Sequence, residues 1–244
     1  MKTTYIDINN TQKYTTILLA ILLIFLINAC SDEEECGYGI GCIEECILFE
    51  DFEDEQINTS GNWLGLSLNS NGVRYVNRGG SIALEANDGS GGSWAYNITD
   101  FPNNLLAQGC ELQFDIEYES GGNGAIATNA IFIFDGTSPI SSTNRARFIL
   151  SPGIPTSTGF QTIAIPLELA SSTTLPSNSF GEWTINGMSN SSPPTSSDIL
   201  NFNNLIQNIS GIGFYLDVNF GNPPSSGPSE VWWFDNFCFK QCCD

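Results

Sequence analysis

The chain is 244 residues long and carries 27 Asp and Glu against 7 Lys and Arg, with 8 Cys and no His. The absence of His excludes a Ser-His-Asp triad, a Cys-His pair and His-ligated zinc or haem. A formal net charge of −20 repels phosphate backbones, so nucleic acid is disfavoured as a partner. Abundant Gly and Pro favour strands and turns, and the length suffices for one sizeable domain.

The first 29 residues have the pattern of a secretory signal peptide. Lys2 and Lys13 lie in a polar leader, and an apolar run of eleven residues follows at 17–27. A helix that crosses a bilayer needs about 20 such residues, so this run is too short for a transmembrane helix. It has the length of a signal-peptide h-region, and we therefore predict that residues 1–29 are a removed signal peptide.

The end of the apolar run resembles the lipobox of bacterial lipoproteins, in which the Cys is acylated and becomes the mature N-terminus. Here Asn28 and Ala29 precede Cys30, and the acids at 32–35 follow it. Ile27 and Asn28 depart from the usual lipobox, so an ordinary secretory signal is the alternative. Acids directly after the Cys resemble an export signal to the cell exterior, although a solvated linker would look the same. We predict a lipid anchor at Cys30, in the bacterial outer membrane and facing outwards.

An acidic, Cys-containing tether is predicted at 30–45, because eleven acids and no base lie between Asp32 and Glu55. Seven cysteines remain when Cys30 is set aside, and in an oxidising compartment they are disulfide candidates. Seven is odd, so at least one thiol is free or pairs with another chain. A Cys-rich metal site is the rival interpretation, which the lack of His and of close CxxC pairs disfavours. The seven are Cys36, Cys42, Cys46, Cys110, Cys238, Cys242 and Cys243.

Beyond Cys46 the chain has the pattern of strands separated by turns. The clearest strand is 110–119, where apolar and polar residues alternate with a period of two. Only 202–209 suggests a helical turn. About ten strands without helical spacing predict an all-β, antiparallel β-sandwich with long polar loops. The predicted strands are 47–52, 73–77, 81–86, 93–98, 110–119, 126–134, 145–150, 160–165, 209–218 and 230–239.

The two ends of this region resemble the galactose-binding-like jelly-roll modules, which include many carbohydrate-binding modules. Asp51-Phe52-Glu53 opens the region, and Phe234-Asp235-Asn236-Phe237 lies in the closing strand. The resemblance covers residues 46–240 and implies a jelly-roll domain. Residues 241–244, beyond it, form a Cys-rich tail. The resemblance also implies a structural calcium ion between the first and last strands.

The ligands implied for that calcium ion are Asp51, Glu53 and Asp235, with backbone carbonyls of 79–81. Calcium takes six to eight oxygens and no imidazole, which suits an acidic chain without His. The alternative is that these acids continue the solvated tether. The same neighbourhood of first and last strands implies a disulfide from Cys46 to Cys238 or Cys242.

Five side chains are candidates for binding a ligand. Trp94 and Tyr96 share a face of one strand, Trp183 precedes a polar loop, and Arg145 and Arg147 share a face of another strand. The alternative for each Trp is packing in the core. For the two arginines the alternative, which the composition favours, is neutralisation of Asp115, Glu117 and Glu119 across a sheet.

These observations predict a non-catalytic surface lipoprotein whose domain binds glycan, with no organic cofactor. The first alternative is a structural or adhesive protein that contacts other proteins through the odd Cys. The second is a glycan-active hydrolase using Asp115 and Glu117, since paired carboxylates on a β-sandwich can hydrolyse glycosides. No motif singles that pair out.

Overall fold

The computed structural model describes residues 45–88, 93–120, 126–156, 159–185, 193–216 and 230–241. The predicted signal peptide, the acylated Cys30, almost all of the acidic tether and most of the Cys-rich tail lie outside these residues. Cys36, Cys42, Cys242 and Cys243 also lie outside them. Within the described part of the chain, no helix is long and apolar enough to cross a membrane.

Thirteen strands and one α-helix are present in the described residues. In chain order the strands are β1 (Cys46–Glu50), β2 (Trp63–Leu66), β3 (Leu68–Arg78), β4 (Ser81–Asp88), β5 (Ser93–Asn97), β6 (Glu111–Ser120), β7 (Ile126–Phe134), β8 (Arg145–Pro155), β9 (Gln161–Pro166), β10 (Ser177–Asn178), β11 (Gly181–Ile185), β12 (Gly211–Leu216) and β13 (Glu230–Lys240). The helix, α1, spans Ser196–Ile206.

The strands form two antiparallel sheets. Sheet A has the order β3-β4-β13-β6-β9, with β1 paired to β13 as well. Sheet B has the order β10-β11-β8-β7-β12-β5-β2. Sequence neighbours are distributed between both sheets, and each sheet buries one face against the other. The predicted antiparallel jelly-roll β-sandwich is confirmed.

The core is built from the alternate residues of strands that face the opposite sheet. Phe214 of sheet B stacks on Phe234 of sheet A with ring centroids 3.9 Å apart. Phe114 of sheet A meets the same Phe214 edge-on, with centroids at 5.4 Å, and stacks on Phe237 of its own sheet at 5.3 Å. All four rings are buried, and each removes a large apolar area from water. Aromatic contacts therefore hold the two sheets together at the centre of the sandwich.

The adjacent Trp232 and Trp233 point to opposite faces of sheet A, as a strand requires. Trp232 packs in the core against Tyr118, with ring centroids 4.6 Å apart. Trp233 lies on the outer face, where the Arg78 guanidinium carbon is 3.8 Å from its ring centroid. Trp232 is therefore part of the core, and Trp233 is part of the outer face of sheet A.

The helix begins earlier than the predicted turn at 202–209. The side chain of Thr195 accepts a hydrogen bond from the backbone N–H of Asp198, and the Asp198 carboxylate accepts one from the backbone N–H of Thr195. This capping box satisfies backbone donors that a helix start leaves without partners. Phe202, Leu205 and Ile206 form the buried face of α1. The apolar spacing from Ile199 onwards outweighs the low helix propensity of its four Asn and Asp residues.

The first and last strands are neighbours, as the resemblance implied. Cys46 lies opposite Lys240, and Leu48 lies opposite Cys238. A disulfide joins Cys46 to Cys238 with their Cα atoms 5.5 Å apart, which is one of the two predicted pairings. Cys110 is also disulfide-bonded. The start and the end of the domain are thus covalently joined.

Candidate ligand-binding face

The outer face of sheet B carries one continuous row of side chains across six strands. The register aligns Leu64 with Tyr96, Tyr96 with Gly213, and Gly213 with Phe132. It then aligns Phe132 with Arg147, and Arg147 with Thr184. We call this set the transverse row: Leu64, Tyr96, Gly213, Phe132, Arg147 and Thr184. Neighbouring strands are about 4.8 Å apart, so Tyr96 and Arg147 are about 14 Å apart along the row.

Trp94 and Tyr96 both lie on this outer face, but they differ in exposure. Trp94 is 5% exposed, and its ring meets Phe132 and Tyr215 edge-on with centroids at 4.7 and 4.8 Å. Tyr96 is half-buried and approaches Phe134 at 6.2 Å. Trp94 therefore supports the face from beneath, and Tyr96 and Tyr215 are the aromatic side chains that reach its surface.

Arg145 and Arg147 lie on the same outer face, on β8. An Nη1 of Arg145 donates to the carbonyl of Pro139 at 3.1 Å, and Nε of Arg147 donates to Oγ1 of Thr184 at 3.1 Å. Both guanidinium groups are half-buried. Burial, together with the neighbouring charge of Arg145, lowers the pKa of Arg147. The surface therefore holds two like charges in a partly desolvated position.

The loop at 136–144 folds back over part of this face. The Asp135 carboxylate accepts hydrogen bonds from the backbone and the side-chain amide of Asn144, which closes the base of the loop. A Cβ placed on Gly213 would lie 3.3 Å from Cγ of Pro139 and 2.9 Å from Cβ of Tyr96. Gly213 therefore fits closely beneath the loop, between Tyr96 and Pro139. The loop and the transverse row form one connected surface.

Trp183 lies in the core, on the opposite side of sheet B from the other four candidates. It is 2% exposed, its indole N–H donates to the carbonyl of Pro166 at 2.9 Å, and its ring packs on Phe148 and Phe202. Its position on β11 alternates with Glu182 and Thr184, which face outwards. This is the packing role that was the alternative for each Trp.

The predicted pairing of Arg145 and Arg147 with the acids of β6 is wrong. Those acids lie on the outer face of sheet A, whereas β8 belongs to sheet B. Glu117 is instead bound by Arg78 of β3, whose Nη2 and Nε donate to its two oxygens at 2.8 and 3.0 Å. Charge neutralisation does act across a sheet here, but it acts through a different arginine.

A second arginine on β3 is bound in the same way on the outer face of sheet A. Arg74 donates through Nε and Nη2 to one oxygen of Glu85 at 3.0 and 2.8 Å. The indole N–H of Trp233 donates to the other oxygen of Glu85 at 3.1 Å, and Asn87 donates to the first at 2.9 Å. This face is therefore occupied by an internal network of charged pairs.

The carboxylates proposed for hydrolysis lie on that network. Glu117 is buried and bound bidentately by Arg78, and Asp115 accepts hydrogen bonds from Thr162 and Asn236 at 2.6 and 2.8 Å. Arg78 occupies both oxygens of Glu117, so this carboxylate is not free to reach the oxygen of a glycosidic bond. The geometry gives no support to the hydrolase alternative.

The three predicted calcium ligands lie where the first strand ends and the last strand bends, and each accepts a hydrogen bond from the protein. Asp51 accepts from the backbone N–H of Glu53 at 3.2 Å, and Glu53 accepts from that of Ile82 at 3.0 Å. Asp235 accepts from Ser81 Oγ at 3.0 Å and from the Asn236 N–H at 2.8 Å. Burial raises the pKa of Asp235, and Asp115 and Glu53 raise it further.

The carboxylates, as placed, do not form a metal shell. Among the described residues, no group of three or more acids or cysteines is gathered so that it could hold a metal ion. Their oxygens are used by the protein's own donors, and calcium requires six to eight oxygens directed at one point. Calcium at this edge stays a prediction.

Sequence reasoning missed five members of the face besides Leu64. Phe132 and Phe134 alternate with core residues on β7, and Tyr215 alternates with core residues on β12. An alternation in which both faces are apolar predicts a strand covered on both sides. That signal was present in the sequence of β7. Thr184 and Gly213 carry no local signal, because only the register places them beside Arg147 and Tyr96.

No protein-family model matches the chain, and no curated protein matches it. One similar solved structure is a family 11 carbohydrate-binding module from Clostridium thermocellum in complex with a β-1,3-1,4-mixed-linked tetrasaccharide. It is 14% identical, with a TM-score of 0.46, and the match covers 82% of this chain and 100% of that chain. An exo-β-agarase matches at 13% identity and TM-score 0.49, over 81% of this chain and 25% of that chain. The L4b domain of human laminin alpha-2 matches at 11% identity and TM-score 0.39, over 75% of this chain and 98% of that chain. Likenesses this distant assign neither a family nor a ligand to the chain.

Proposed function

We propose that this chain is a non-catalytic, lipid-anchored protein of the bacterial surface whose sandwich domain binds glycan through the outer face of sheet B. The observation that carries the proposal is the transverse row. It brings a half-buried tyrosine, an arginine and a threonine from three distant parts of the chain onto one face.

The chemistry of the row suits a sugar chain. Binding sites for small polar ligands combine apolar and aromatic surface with a few well-placed polar groups. The ring of Tyr96 offers an apolar surface to the C–H face of a pyranose, and its hydroxyl offers a hydrogen bond. Arg147 offers N–H donors to hydroxyl groups further along the row, and buried Thr184 holds its Nε in place. Exposed Leu64 extends the apolar part at the edge strand β2.

The test compares Tyr96→Ala with Tyr96→Phe in the full chain, purified in detergent and applied to a glycan array. We expect wild type to bind at least one glycan, Tyr96→Phe to bind it nearly as well, and Tyr96→Ala to lose about tenfold in affinity, because the stacking ring is removed. Leu200→Ala, on the exposed side of α1, is the control for any apolar truncation. Equal melting temperatures would show that the variants are folded.

Absence of binding by the wild-type chain to every glycan, or equal binding by Tyr96→Ala and wild type, would overturn the glycan part of the proposal. A protein-binding role is the second candidate, and one observation favours it. Ile47 and Leu48 are adjacent on β1 and are 56% and 54% exposed. A disulfide-linked dimer on non-reducing gels, without glycan binding, would favour this candidate over the first.

A further inference from the structure

Cys110 is bonded to a cysteine that lies outside the described residues. The described part of the chain contains three cysteines, and all of them are disulfide-bonded. Two of these, Cys46 and Cys238, are bonded to each other. With Cys30 assigned to the proposed anchor, the partner of Cys110 comes from the tether or from the tail: Cys36, Cys42, Cys242 or Cys243.

The contacts of Cys110 with the last strand favour the tail. Its backbone N–H donates to the carbonyl of Lys240 at 3.0 Å, and its Sγ lies 3.5 Å from the same oxygen. The next residue, Gln241, is held beside the chain that leads to Cys110, because its side-chain amide donates to the carbonyl of Gln108 at 2.5 Å. The last described residues therefore lie alongside the sulfur of Cys110.

The reach of the chain is sufficient for a bond to either tail cysteine. A disulfide places its two Cα atoms about 4.4–6.8 Å apart. Cys242 and Cys243 are the second and third residues after Lys240, and an extended chain covers about 3.5 Å per residue. A tail cysteine can therefore reach Cys110 without any movement of the described strands.

The tether enters the domain on the other side of β13. Glu45 accepts a hydrogen bond from the N–H of Gln241 at 3.0 Å, and β1 pairs with the edge of β13 that is opposite to β6. Two strand spacings, about 10 Å, therefore separate Glu45 from Cys110. Cys42 would have to return across the end of β13, and Cys36 would have to close a longer loop at a higher cost in entropy.

We propose that Cys110 forms a disulfide with one cysteine of the C-terminal pair, Cys242 and Cys243, which fixes the end of the chain against the start of β6. The bond forms by thiol–disulfide exchange. The two thiols are oxidised to one disulfide, and an exogenous disulfide, carried by an oxidising protein or a small molecule, is reduced to two thiols. The oxidising compartment proposed for this chain supplies such a reagent.

This pairing limits which cysteines can join two chains. Once both bridges are made, three of the seven cysteines that follow Cys30 are left: Cys36, Cys42 and the second tail cysteine. Three thiols cannot all pair within one chain. The covalent dimer of the second candidate function would therefore be joined through one of these three, and not through Cys110.

Two proteases separate all of these cysteines in the full chain. Free thiols of the detergent-purified protein are alkylated, and the denatured, unreduced chain is cut after Glu and after Lys or Arg. Cys110 then lies in the peptide 86–111, the tail cysteines lie in 241–244, and the tether cysteines lie in 36–44. We expect mass spectrometry to find 86–111 linked to 241–244. A link from 86–111 to 36–44, or an alkylated Cys110, would overturn the proposal.

The variants test the same bond through stability. Cys110→Ser and the double variant Cys242→Ser/Cys243→Ser should each lower the melting temperature by about 5 °C or more. Their combination should lower it no further, because both changes remove one bridge. Cys36→Ser is the matched control, and it should keep the link between 86–111 and 241–244. Additive losses in the combined variant, or loss of that link in Cys36→Ser, would contradict the pairing.

Discussion

The ionised side chain of Asp235 lowers the stability of the fold in which it is buried. It is 3% exposed, and its hydrogen bonds to Ser81 and Asn236 only partly compensate for the loss of water. Burial is the largest cause of its raised pKa, and the negative charges of Asp115 and Glu53 add to it. An acid whose pKa is higher in the folded than in the unfolded chain is destabilising when ionised.

Asp235→Asn should therefore raise the melting temperature at pH 7 in EDTA, because the ionised carboxylate is removed while its neighbours keep a polar partner. The sign follows from linkage: the destabilisation is present above the folded-state pKa and is relieved as the pH falls towards the unfolded value of about 4. The difference between variant and wild type should shrink over that interval. Thermal unfolding between pH 4 and 7 measures it, and a lower melting temperature of the variant at pH 7 would contradict the argument.

The same pair of proteins tests the calcium prediction. If calcium uses Asp235, millimolar calcium should raise the melting temperature of wild type and leave that of Asp235→Asn unchanged, because a bound ion stabilises the state that binds it. A matched Asp51→Asn variant reports on the second predicted ligand. No shift of wild type on adding calcium or EDTA would show that this edge holds no calcium.

At the scale of strands, the outer face of sheet A is held together by pairs between β3 and its neighbours. Arg78 reaches across β4 and β13 to Glu117 on β6, and it lies over the ring of Trp233 on the way. One side chain thus combines a bidentate ion pair with a cation–π contact. The edge strand β3 is linked by it to the middle of the sheet.

Arg78→Gln should lower the free energy of unfolding by about 2 kcal/mol, because the buried Glu117 loses its charged partner. Urea unfolding at pH 7 measures the change. Glu119→Gln is the control, since Glu119 is half-exposed and its contact with Arg78 is longer, at 3.6 Å. An exposed pair of this kind contributes less than about 1 kcal/mol. Equal effects of the two substitutions would show that burial of Glu117 has no part in the cost.

Much of the fold could be predicted from local pattern, and the exceptions have a physical cause. The ten strands expected from alternation and turn residues are present in the described chain. β10 was missed because two residues are too few to show a period of two, and β2 was missed because its sequence, Trp-Leu-Gly-Leu, does not alternate. β11, Gly-Glu-Trp-Thr-Ile, does alternate and was missed although its signal was present. β2 and β10 are also edge strands, stabilised by one neighbour and not by their own sequence.

The sequence predicts two pairs of candidate side chains, but it does not predict that the two pairs share one surface. Trp94 with Tyr96, and Arg145 with Arg147, follow from strand alternation alone. That β12 and β7 lie between those strands depends on the order of sheet B, which no local pattern encodes. Exposure is also non-local, because Trp94 is covered by neighbours that come from other parts of the chain. The error about the partners of Arg145 and Arg147 has the same origin.

At the scale of the whole molecule, the proposed anchor makes a direct prediction. Metabolic labelling with a radioactive fatty acid should mark the wild-type chain and not Cys30→Ser, because acylation requires the thiol at that position. Cys36→Ser is the matched control, since it removes a cysteine six residues away and should keep the label. Retention of label by Cys30→Ser would contradict the lipid anchor, and the localisation proposed from it would fail too.

The disulfide between Cys46 and Cys238 determines how the domain responds to a pulling force. Tension applied at the N-terminus reaches β1 first, a strand of five residues that hydrogen bonds alone would release by unzipping. The sulfur bridge instead transfers the load to β13, which has β4 and β6 on either side. When the chain is pulled at its two ends, the bridge bypasses the stretch between these cysteines, which are 192 positions apart. In the proposed surface lipoprotein, a pull along the tether would therefore load β13 in the middle of sheet A and would not peel β1 away from it.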